Sequence, residues 1–483
     1  MRKLVLSCIQ FFFLSFFIFG CLTTEILAEC KPTKFENKSD DLELNQLADL
    51  DYKELLAFDL RVTSPSKKEQ KYSEVASALY VLTGEDIKRS GAKHIGDALR
   101  LVPGLNVAQI NNNQWAISSR GFNQRFSNKL LVLVDGQVVF TPGFNGVYWE
   151  QIGAPLENIA RVEVIRGPGA AVWGSNAVNG VINIITCDSQ NTQGTELSAS
   201  SGSEENGSVF VRHGDKVGED SYFRVYANHR SKDDNTSIDN QSAQDDFNIS
   251  TGGFRLDSAL SDKDNLTVKA EGFYLDNEEV VTVPSILPPF VDSDSYSGRR
   301  QQYGTNLLSR LTHEFSDVSE LQAQVDYLFE RQDGKAPPIT RHTLHLDVQH
   351  HYSGIEGHDF VYGVESRFYE DKIEGSFADD FNPERRGTDL HTFFIDDEIT
   401  LVEDRLNLIL GSKIERNVHT GFEVMPNARV VYTPNERHTF WGAVSRAVSN
   451  PSRTLEDVIL PVAAFPDEET GAPAIVTVYG SRD

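Results

Sequence analysis

The sequence has little positive charge and none of the short motifs that mark common enzymes. Its 45 lysines and arginines face 71 acidic residues, which gives a net charge of −26. A chain this acidic repels nucleic acid, so we expect no nucleic-acid partner. Motifs of the HExxH, paired CxxC and GxSxG types are absent, and we assign no catalytic residue, no metal site and no cofactor. The composition therefore argues against an enzyme and against a nucleic-acid-binding protein.

Long apolar runs are also scarce, and the one that stands out lies at the amino terminus. Arg2 and Lys3 precede the run from Leu4 to Phe19, which is too short for a comfortable membrane helix. Basic residues followed by a short apolar segment are typical of a secretory signal. We therefore predict a signal peptide over residues 1–28, with cleavage after Ala28 as the first choice. Gly20-Cys21 resembles a lipoprotein site and is the alternative, although Phe19 fits it poorly.

Cysteine is scarce as well, with four in the chain. Removal of the signal peptide would take away Cys8 and Cys21 and leave Cys30 and Cys187 in an oxidising compartment. One disulfide between the remaining two is one interpretation, and two unpaired thiols are the other. The sequence leaves both open.

Residues 29–71 are polar and charged, and we predict an exported N-terminal segment on the periplasmic side. Within it, DLRVTSPSKK at residues 59–68 has a short β-prone core that ends at Ser-Pro. One interpretation is a linker strand. The other is an extended segment that the sheet edge of another protein captures through its free backbone donors.

Residues 72–190 have the pattern of a compact α/β unit. Thr83 and Asp86 have the spacing of a capping box, and Gly91 marks the end of the short helix that this box would begin. Asp135 and Gly136 stand between two apolar runs, which is a strong hairpin signal. This unit is therefore expected to be small, mixed and rich in turns.

After about residue 192 the pattern changes to extended segments that alternate apolar and polar residues. In LQAQVDYLFE, residues 321–330, the apolar side chains share one face and the polar ones share the other. A soluble sandwich would also alternate. These segments approach the length of roughly 9 to 11 residues that a tilted strand needs to cross a membrane, and aromatic residues cluster at their ends. With the signal peptide, the pattern favours a barrel in the bacterial outer membrane.

Two long elements resemble a known family. The run from VLTGEDIKRSGAKHIGDALRLVPGLNV to RVEVIRGPGAAVWGSNAVNGVINIIT, within residues 78–186, resembles the plug domain of TonB-dependent outer-membrane receptors, and WGAVSRAVSNPSR is similar to one of their barrel strands. The resemblance implies a mainly β protein: a transmembrane antiparallel β-barrel over residues 191–483, with an N-terminal α/β plug over 72–190 inside its lumen. About 13 of an expected 22 strands are present, so we expect the sequence to be incomplete at its carboxyl end.

The resemblance also raises one interpretation of residues 59–68 above the linker strand. These receptors carry a TonB box at this place, a segment that binds TonB and its inner-membrane energising complex. The residues assigned to the box are Asp59, Leu60, Arg61, Val62, Thr63 and Ser64. Proline at Val62 is expected to abolish uptake.

Plug arginines that face barrel glutamates in the family correspond to Arg120 in SSRGF and Arg166 in VIRGP. Their implied role is to hold the plug in the lumen through ion pairs that can break and form again. Glu398 and Glu415 are the candidate barrel partners. The alternative is that both arginines are solvated.

Two other features could suggest ligand binding. The stretch from Gly169 to Ser175 has the GxxxxG spacing of a phosphate loop, but Ser175 stands where a lysine would contact the phosphates. We interpret its glycines as structural. Four histidines lie near one strand end and could suggest metal or haem, although a polar strand end is the interpretation we favour. They are His342, His345, His350 and His351.

The implied function is active import of a scarce chelate through the outer membrane, with a ferric siderophore as the first choice and cobalamin or haem as others. The expected partners are TonB, the chelate and outer-membrane lipid. One alternative is a passive or structural barrel, such as a pore, adhesin or phage receptor, and another is a non-functional truncated fragment. Residues 276–300 are predicted to be a long outward loop that could contact the ligand.

Overall fold

The computed structural model describes residues 60–203, 205–288, 293–376, 378–435, 438–467, 469–470 and 472–482. The predicted signal peptide over residues 1–28 and the first box residue, Asp59, lie outside the described residues.

Residues 60–192 contain nine short strands and three short α-helices. The strands are β1 Arg61–Val62, β2 Gln70–Lys71, β3 Leu79–Thr83, β4 Leu105–Gln109, β5 Trp115–Ser119, β6 Leu130–Val134, β7 Gln137–Val138, β8 Ile159–Ile165 and β9 Gly180–Thr186. The helices are α1 Gly84–Ser90, α2 Ile95–Leu99 and α3 Ala170–Trp173. Short 3-10 helices occur at Tyr72–Glu74, Trp149–Gln151, Leu156–Asn158 and Ser189–Thr192.

Local signals in the sequence account for much of this unit, which we call the plug. Thr83 and Asp86 form the capping box at the start of α1, and Gly91 ends that helix in the left-handed conformation. Asp135 and Gly136 connect β6 to β7 with positive φ at both positions, 50° and 83°, as a type I′ hairpin requires. The capping-box and hairpin predictions are both confirmed.

A five-stranded sheet in the order β3-β8-β9-β6-β7 organises the plug. β6 and β9 are parallel, and the other pairs are antiparallel. Continuous apolar runs in β6 and β9 suit strands covered on both faces, and two core clusters pack there. One contains Leu82, Val132 and Ile182, and the other contains Leu131 and Val181.

The remainder of the chain is almost entirely antiparallel sheet. Its strands are β10 Gly194–Ser200, β11 Glu205–Lys216, β12 Ser221–Lys232, β13 Phe247–Ser261, β14 Asp264–Pro284, β15 Ser293–Ser316, β16 Ser319–Asp333, β17 Ile339–Ile355, β18 His358–Ile373, β19 Asp380–Phe381, β20 Arg385–Val402, β21 Leu406–Asn417, β22 Gly421–Asn435, β23 His438–Ser445, β24 Val458–Pro466 and β25 Pro473–Tyr479. A fourth short helix, α4, covers Arg453–Glu456.

Thirteen of these strands form one meander in sequence order, from β10 to β18 and from β20 to β23. The predicted thirteen-strand antiparallel wall is confirmed. Within the described residues, β10 and β23 are its two outer strands and are not hydrogen bonded to each other. β19, β24 and β25 form a separate small sheet.

The wall is built with its polar face inward. In β16, Gln324 and Asp326 are buried while Val325 is exposed, and in β17 Asp347 is buried between the exposed Leu346 and Val348. A soluble sandwich would bury the apolar side instead. The alternation therefore places lipid outside and the plug with its polar surroundings inside.

The two ends of the wall differ in the length of their connections. Residues 262–263, 317–318 and 356–357 are tight turns, whereas residues 233–246 form a long connection at the other end. Short turns are periplasmic and long loops are external in such barrels. The end near residues 262, 317 and 356 is therefore the periplasmic one.

No helix within the described ranges has both the length and the apolar character needed to cross a membrane.

The structure corrects one expectation and answers one question that the sequence left open. Most of the predicted outward loop, residues 276–300, is strand, because Asp276 pairs with Gln301 and the hairpin continues to the pair of Pro284 with Ser293. The β-branched residues of VVTV favour this extension.

Cys187 is disulfide-bonded, and its partner lies outside the described residues, where the other three cysteines are.

Candidate functional site

Residues 60–64, the described part of the predicted TonB box, lie against the plug. Arg61 pairs with Lys71 and Val62 pairs with Gln70 between β1 and β2. The Val62 side chain is fully buried in one of the two plug cores. The extended core that the sequence suggested is therefore present, and it is covered.

The backbone of this segment is bound by plug side chains. The amides of Thr63 and Ser64 donate to Glu163 Oε2 at 3.2 and 2.9 Å. Trp173 Nε1 donates to the Ser64 carbonyl at 2.7 Å, and Asn183 Nδ2 donates to Ser64 Oγ at 3.1 Å. A partner that adds a strand needs free backbone donors, so this arrangement withholds the segment from such a partner.

Lys67 joins the same segment to the barrel wall. Its Nζ lies 2.8 Å from Asp347 Oδ2 on β17, and it stands 4.6 Å from the ring centre of Phe394 and 5.3 Å from that of Trp173. One cation thus contacts a wall carboxylate, a wall aromatic ring and a plug aromatic ring. Cation–π contacts of this kind gain strength where water is excluded.

Lys68 makes a second connection to the wall. Its Nζ lies 2.7 Å from both Asp359 Oδ2 and Glu398 Oε2. Burial lowers the pKa of Lys68, but the carboxylates of Glu398 and Asp359 raise it above its ordinary value overall. We call Lys67 and Lys68 with their three wall carboxylates the N-terminal anchor.

The two plug arginines named from the sequence lie next to each other. Arg120 Nη2 donates to the Arg166 carbonyl at 3.0 Å. Arg166 donates from Nη1 to the Pro103 carbonyl at 3.0 Å and from Nε to the Ala78 carbonyl at 3.4 Å. Within the described ranges, their partners are backbone carbonyls of the plug and not wall carboxylates.

The two wall glutamates do face the plug, with other partners. Glu398 pairs with Lys68, and Glu415 Oε2 accepts from the amide and hydroxyl of Ser175 at 3.2 and 3.0 Å. Asn450 Nδ2 donates to Glu415 Oε1 at 3.0 Å. The structure thus brings each glutamate to the plug side but brings neither to Arg120 or Arg166.

The glycine-rich stretch has a packing role. A Cβ on Gly169 would lie 2.7 Å from Val181 Cγ2, which is too close for any other residue. Gly174 has a φ of 88°, a conformation that glycine adopts without strain, and it lies beside Glu415 and Lys413 of the wall. These contacts support the structural interpretation of the glycines.

Of the four histidines, His345 is deeply buried on the inner face of the wall. Its Nδ1 lies 2.7 Å from Asp326 Oδ2 and its Nε2 lies 3.1 Å from Glu365 Oε1. Ligand atoms of His345, Asp347 and Glu365 lie within 4.8 Å of one another. Lys67 and Lys413 already engage those two carboxylates, so the cluster is a charge network around the N-terminal anchor.

Sequence reasoning missed the residues that hold the segment in place. Glu163 carries the signal that could have found it, because a carboxylate inside the apolar strand RVEVI needs a buried partner. The consecutive pair Lys67 and Lys68 directly after the box is a second signal. One partner of Glu163, Arg161, lies two residues away in the same strand. Neither signal identifies the other partners, which are distant in the sequence.

A plug that lies against the inward-facing polar side of an antiparallel wall defines a plugged β-barrel of the outer membrane. Residues 71–181 match the family model described as TonB-dependent Receptor Plug Domain, and residues 192–457 match the one described as TonB dependent receptor-like, beta-barrel. The chain belongs to the TonB-dependent receptor family, a family of receptors and transporters. Its location is accordingly the outer membrane.

Among curated relatives, the vitamin B12 transporter BtuB of Vibrio vulnificus is 37% identical over 163 residues, which is 33% of this chain and 26% of that protein. BtuB of Vibrio cholerae is 33% identical over 164 residues, 34% of this chain and 26% of that protein. The chain thus matches about a quarter of the length of these relatives.

Solved structures with a similar fold include receptors for iron chelates. The ferric enterobactin receptor of Pseudomonas aeruginosa has a TM-score of 0.66 at 18% identity, covering 85% of this chain and 68% of that one. The ferric-catecholate import receptor Fiu of E. coli K12 has a TM-score of 0.64 at 16% identity, covering 83% and 74%. At these identities the likeness shows the fold alone.

Proposed function

We propose that this protein is a TonB-dependent active transporter of the outer membrane, and not an enzyme. It binds a scarce extracellular chelate, with a ferric siderophore as the first choice, and imports it into the periplasm. The proposed layout is a signal peptide over 1–28, an N-terminal segment over 29–71, a plug over 72–190 and a partial barrel over 191–483.

The observation that carries the proposal is the covered state of residues 60–64. The amides of Thr63 and Ser64 are held by Glu163, and the attachment of the segment to the wall runs through Lys67 and Lys68. A segment that must become available only when a ligand is bound needs a resting state of this kind. A pore that is always open has no use for it.

The physical reason for a TonB partner is the source of energy. The outer membrane has no nucleotide supply and no gradient of its own, so work must arrive mechanically from the inner membrane. An extended segment captured by strand addition transmits such a pull. Plug arginines Arg120 and Arg166, with Glu398 and Glu415 on the wall, remain proposed participants in the remodelling of the plug.

The choice of ligand is based on the proteins that this chain resembles. Their printed names include vitamin B12 transport and ferric enterobactin reception, and both ligands are large chelates. Direct binding of a ferric siderophore and of cyanocobalamin to the protein, together with growth under iron or cobalamin limitation, tests the choice. A response to cobalamin alone would replace the siderophore proposal.

The box assignment is tested by Val62→Pro with Val62→Ala as its matched control. Both changes remove apolar packing, but only proline removes the backbone donor and prevents strand addition. We expect Val62→Pro to abolish uptake while ligand binding persists, and Val62→Ala to retain most uptake. Normal uptake by the proline variant would remove the box from residues 59–64.

A further inference from the structure

Four adjacent wall strands each place one cation against the same part of the plug. They are Arg224 on β12, Arg255 on β13, Lys269 on β14 and Arg310 on β15. The first three are buried. All lie toward the periplasmic ends of their strands, on a different part of the wall from the N-terminal anchor on β17, β18 and β20.

The register of the wall makes this arrangement costly by itself. Arg224 stands directly opposite Arg255, and Arg255 stands directly opposite Lys269. Like charges directly opposite each other across two strands are destabilising, and burial strengthens the repulsion. The wall offsets part of this charge itself, since Asp257 on β13 pairs with Arg255 at 2.8 Å and Glu271 on β14 lies 3.8 Å from Lys269. Four wall cations against two wall carboxylates still leave an excess of positive charge, so the wall needs a further anion at this point.

The plug supplies it through Asp135. The carboxylate of Asp135 forms an ion pair with Lys269, and its backbone carbonyl accepts from Arg310. The same carboxylate accepts from the amide and hydroxyl of Thr186, each at 2.7 Å. Arg255 Nη1 in turn donates to Thr186 Oγ1 at 3.1 Å. One plug residue thus gathers the wall cations and the end of β9 into a single network.

Neighbouring plug atoms complete the contact. The Cys187 carbonyl accepts from Arg224, and Asp188 pairs with Arg255. The Asp188 side chain is about half exposed, 47% against 7% for Asp135. Asp135 is therefore the carboxylate whose charge is shielded from water.

We propose that Asp135 is the positioning residue that seats the plug, by neutralising wall cations that would otherwise repel one another. Asp135 with Arg224, Arg255, Lys269 and Arg310 is named here the Asp135 seat. Its polarity is the reverse of the plug-arginine arrangement expected from the resemblance, since here the plug carries the anion. The proposal rests on the closed state, so it stands or fails independently of the ligand and of TonB.

A simpler role for Asp135 is that of a turn residue, and the two roles predict different results. Asparagine is at least as good as aspartate where a type I′ turn needs positive φ. Asp135→Asn therefore leaves the turn intact, while it removes the charge and replaces one of the two acceptor oxygens with a donor. A turn role predicts no effect, whereas the seating role predicts a plug that no longer closes the lumen.

The test is the conductance of the protein in planar lipid bilayers without ligand. For Asp135→Asn we expect open-channel events at least ten times more frequent than in the unmodified protein. Asp188→Asn, which removes the exposed carboxylate of the same contact, is the matched control and should leak much less. Unmodified conductance in Asp135→Asn would overturn the proposal.

Removal of the Lys269 charge from the Asp135→Asn variant tests whether the leak can be reversed. The double variant Asp135→Asn with Lys269→Met should leak less than Asp135→Asn alone, because the uncompensated ammonium is gone. An equal or larger leak in the double variant would contradict the electrostatic cause. If Asp135→Asn does not insert, Lys269→Glu carries the test, since it leaves the turn unchanged and sets a wall carboxylate against that of Asp135: a leak supports the seat, and normal conductance overturns it.

Discussion

The N-terminal anchor and the Asp135 seat both join the plug side to the wall through charges, but they differ in polarity and in contact with water. In the Lys68 half of the anchor, the wall carboxylates remain 34% and 22% exposed, whereas the pair of Lys67 with Asp347 is 7% and 9% exposed. The difference in contact with water therefore concerns the Lys68 half. In the seat, Asp135 meets Lys269 with 7% and 5% exposed. A pair that water can reach is cheap to break. A pair that water cannot reach leaves an uncompensated buried charge when it breaks.

This difference suits a transporter in which the N-terminal segment is released from the wall while the plug stays bound to it. The anchor lies next to the segment proposed to bind TonB, and water can take over the carboxylates of Asp359 and Glu398 as the Lys68 half opens. The seat lies under the centre of the plug sheet, at the β6–β7 turn and the end of β9. The comparison predicts that changes at the two places will differ in size, in salt dependence and in what they release.

The largest effect is expected at the seat. Asp135→Asn should lower the free energy of unfolding of the plug by about 3 to 5 kcal/mol, the usual cost of leaving one partner of a buried pair. Urea titration followed by tryptophan fluorescence measures it, since Trp115, Trp149 and Trp173 lie in the plug. Asp188→Asn is the control, and an equal loss in both variants would show that burial is not what separates them.

A smaller effect is expected where the segment meets the plug. Glu163→Gln weakens two hydrogen bonds from Thr63 and Ser64 and removes the ion pair with Arg161. Bonds to a charged group contribute about 1.5 to 3 kcal/mol. We expect trypsin to cut after Arg61 roughly ten to a hundred times faster, while the plug stays seated and does not leak. Glu74→Gln, at an exposed carboxylate nearby, should leave the rate unchanged. A channel leak in Glu163→Gln would mean that the two regions are not separate.

The anchor should give a still smaller and salt-dependent effect. Lys68→Met removes partly exposed ion pairs that contribute on the order of 1 kcal/mol or less, so cleavage after Arg61 should rise only a few-fold. High salt should produce a similar rise in the unmodified protein, because it screens water-exposed pairs. Lys71→Met, outside the anchor, serves as the control. A salt-independent rate would place the anchor among the buried pairs.

The sequence allowed the wall, the hairpin and the short extended core at Arg61–Val62 to be predicted, because these depend on local pattern. Period-two alternation in LQAQVDYLFE decides which face meets lipid, and Asp135 with Gly136 decides a turn. The pattern does not say which plug atom lies opposite a wall side chain. Asp135 was interpreted as a turn residue for this reason, and its role depends on three cations brought together by strand register.

The same limit explains the plug arginines. The motif VIRGP identifies Arg166 as a residue of interest, but its partners are carbonyls of Pro103 and Ala78, which any sequence would provide. Backbone acceptors leave no compositional trace. Charged side chains can be located from a sequence, whereas a partner that is part of the backbone becomes visible only in the fold.

The smallest expected effect is that of pH, because the contribution of the Asp135 seat to plug closure should not depend on it. Burial raises the pKa of Asp135, but the charges of Lys269 and Arg255 lower it by more than burial raises it. The pKa therefore lies well below the ordinary carboxyl range. A carboxyl whose pKa is lower in the folded state contributes its stability above the unfolded pKa, near 4, and loses it as the pH falls through the folded value. Between pH 7.5 and 5 the seat contribution is therefore constant, and the leak of the unmodified protein should not change. A leak that rises as the pH falls from 7.5 to 5 in the unmodified protein, but not in Asp135→Asn, would show that Asp135 takes up a proton there and that the wall cations do not hold its charge.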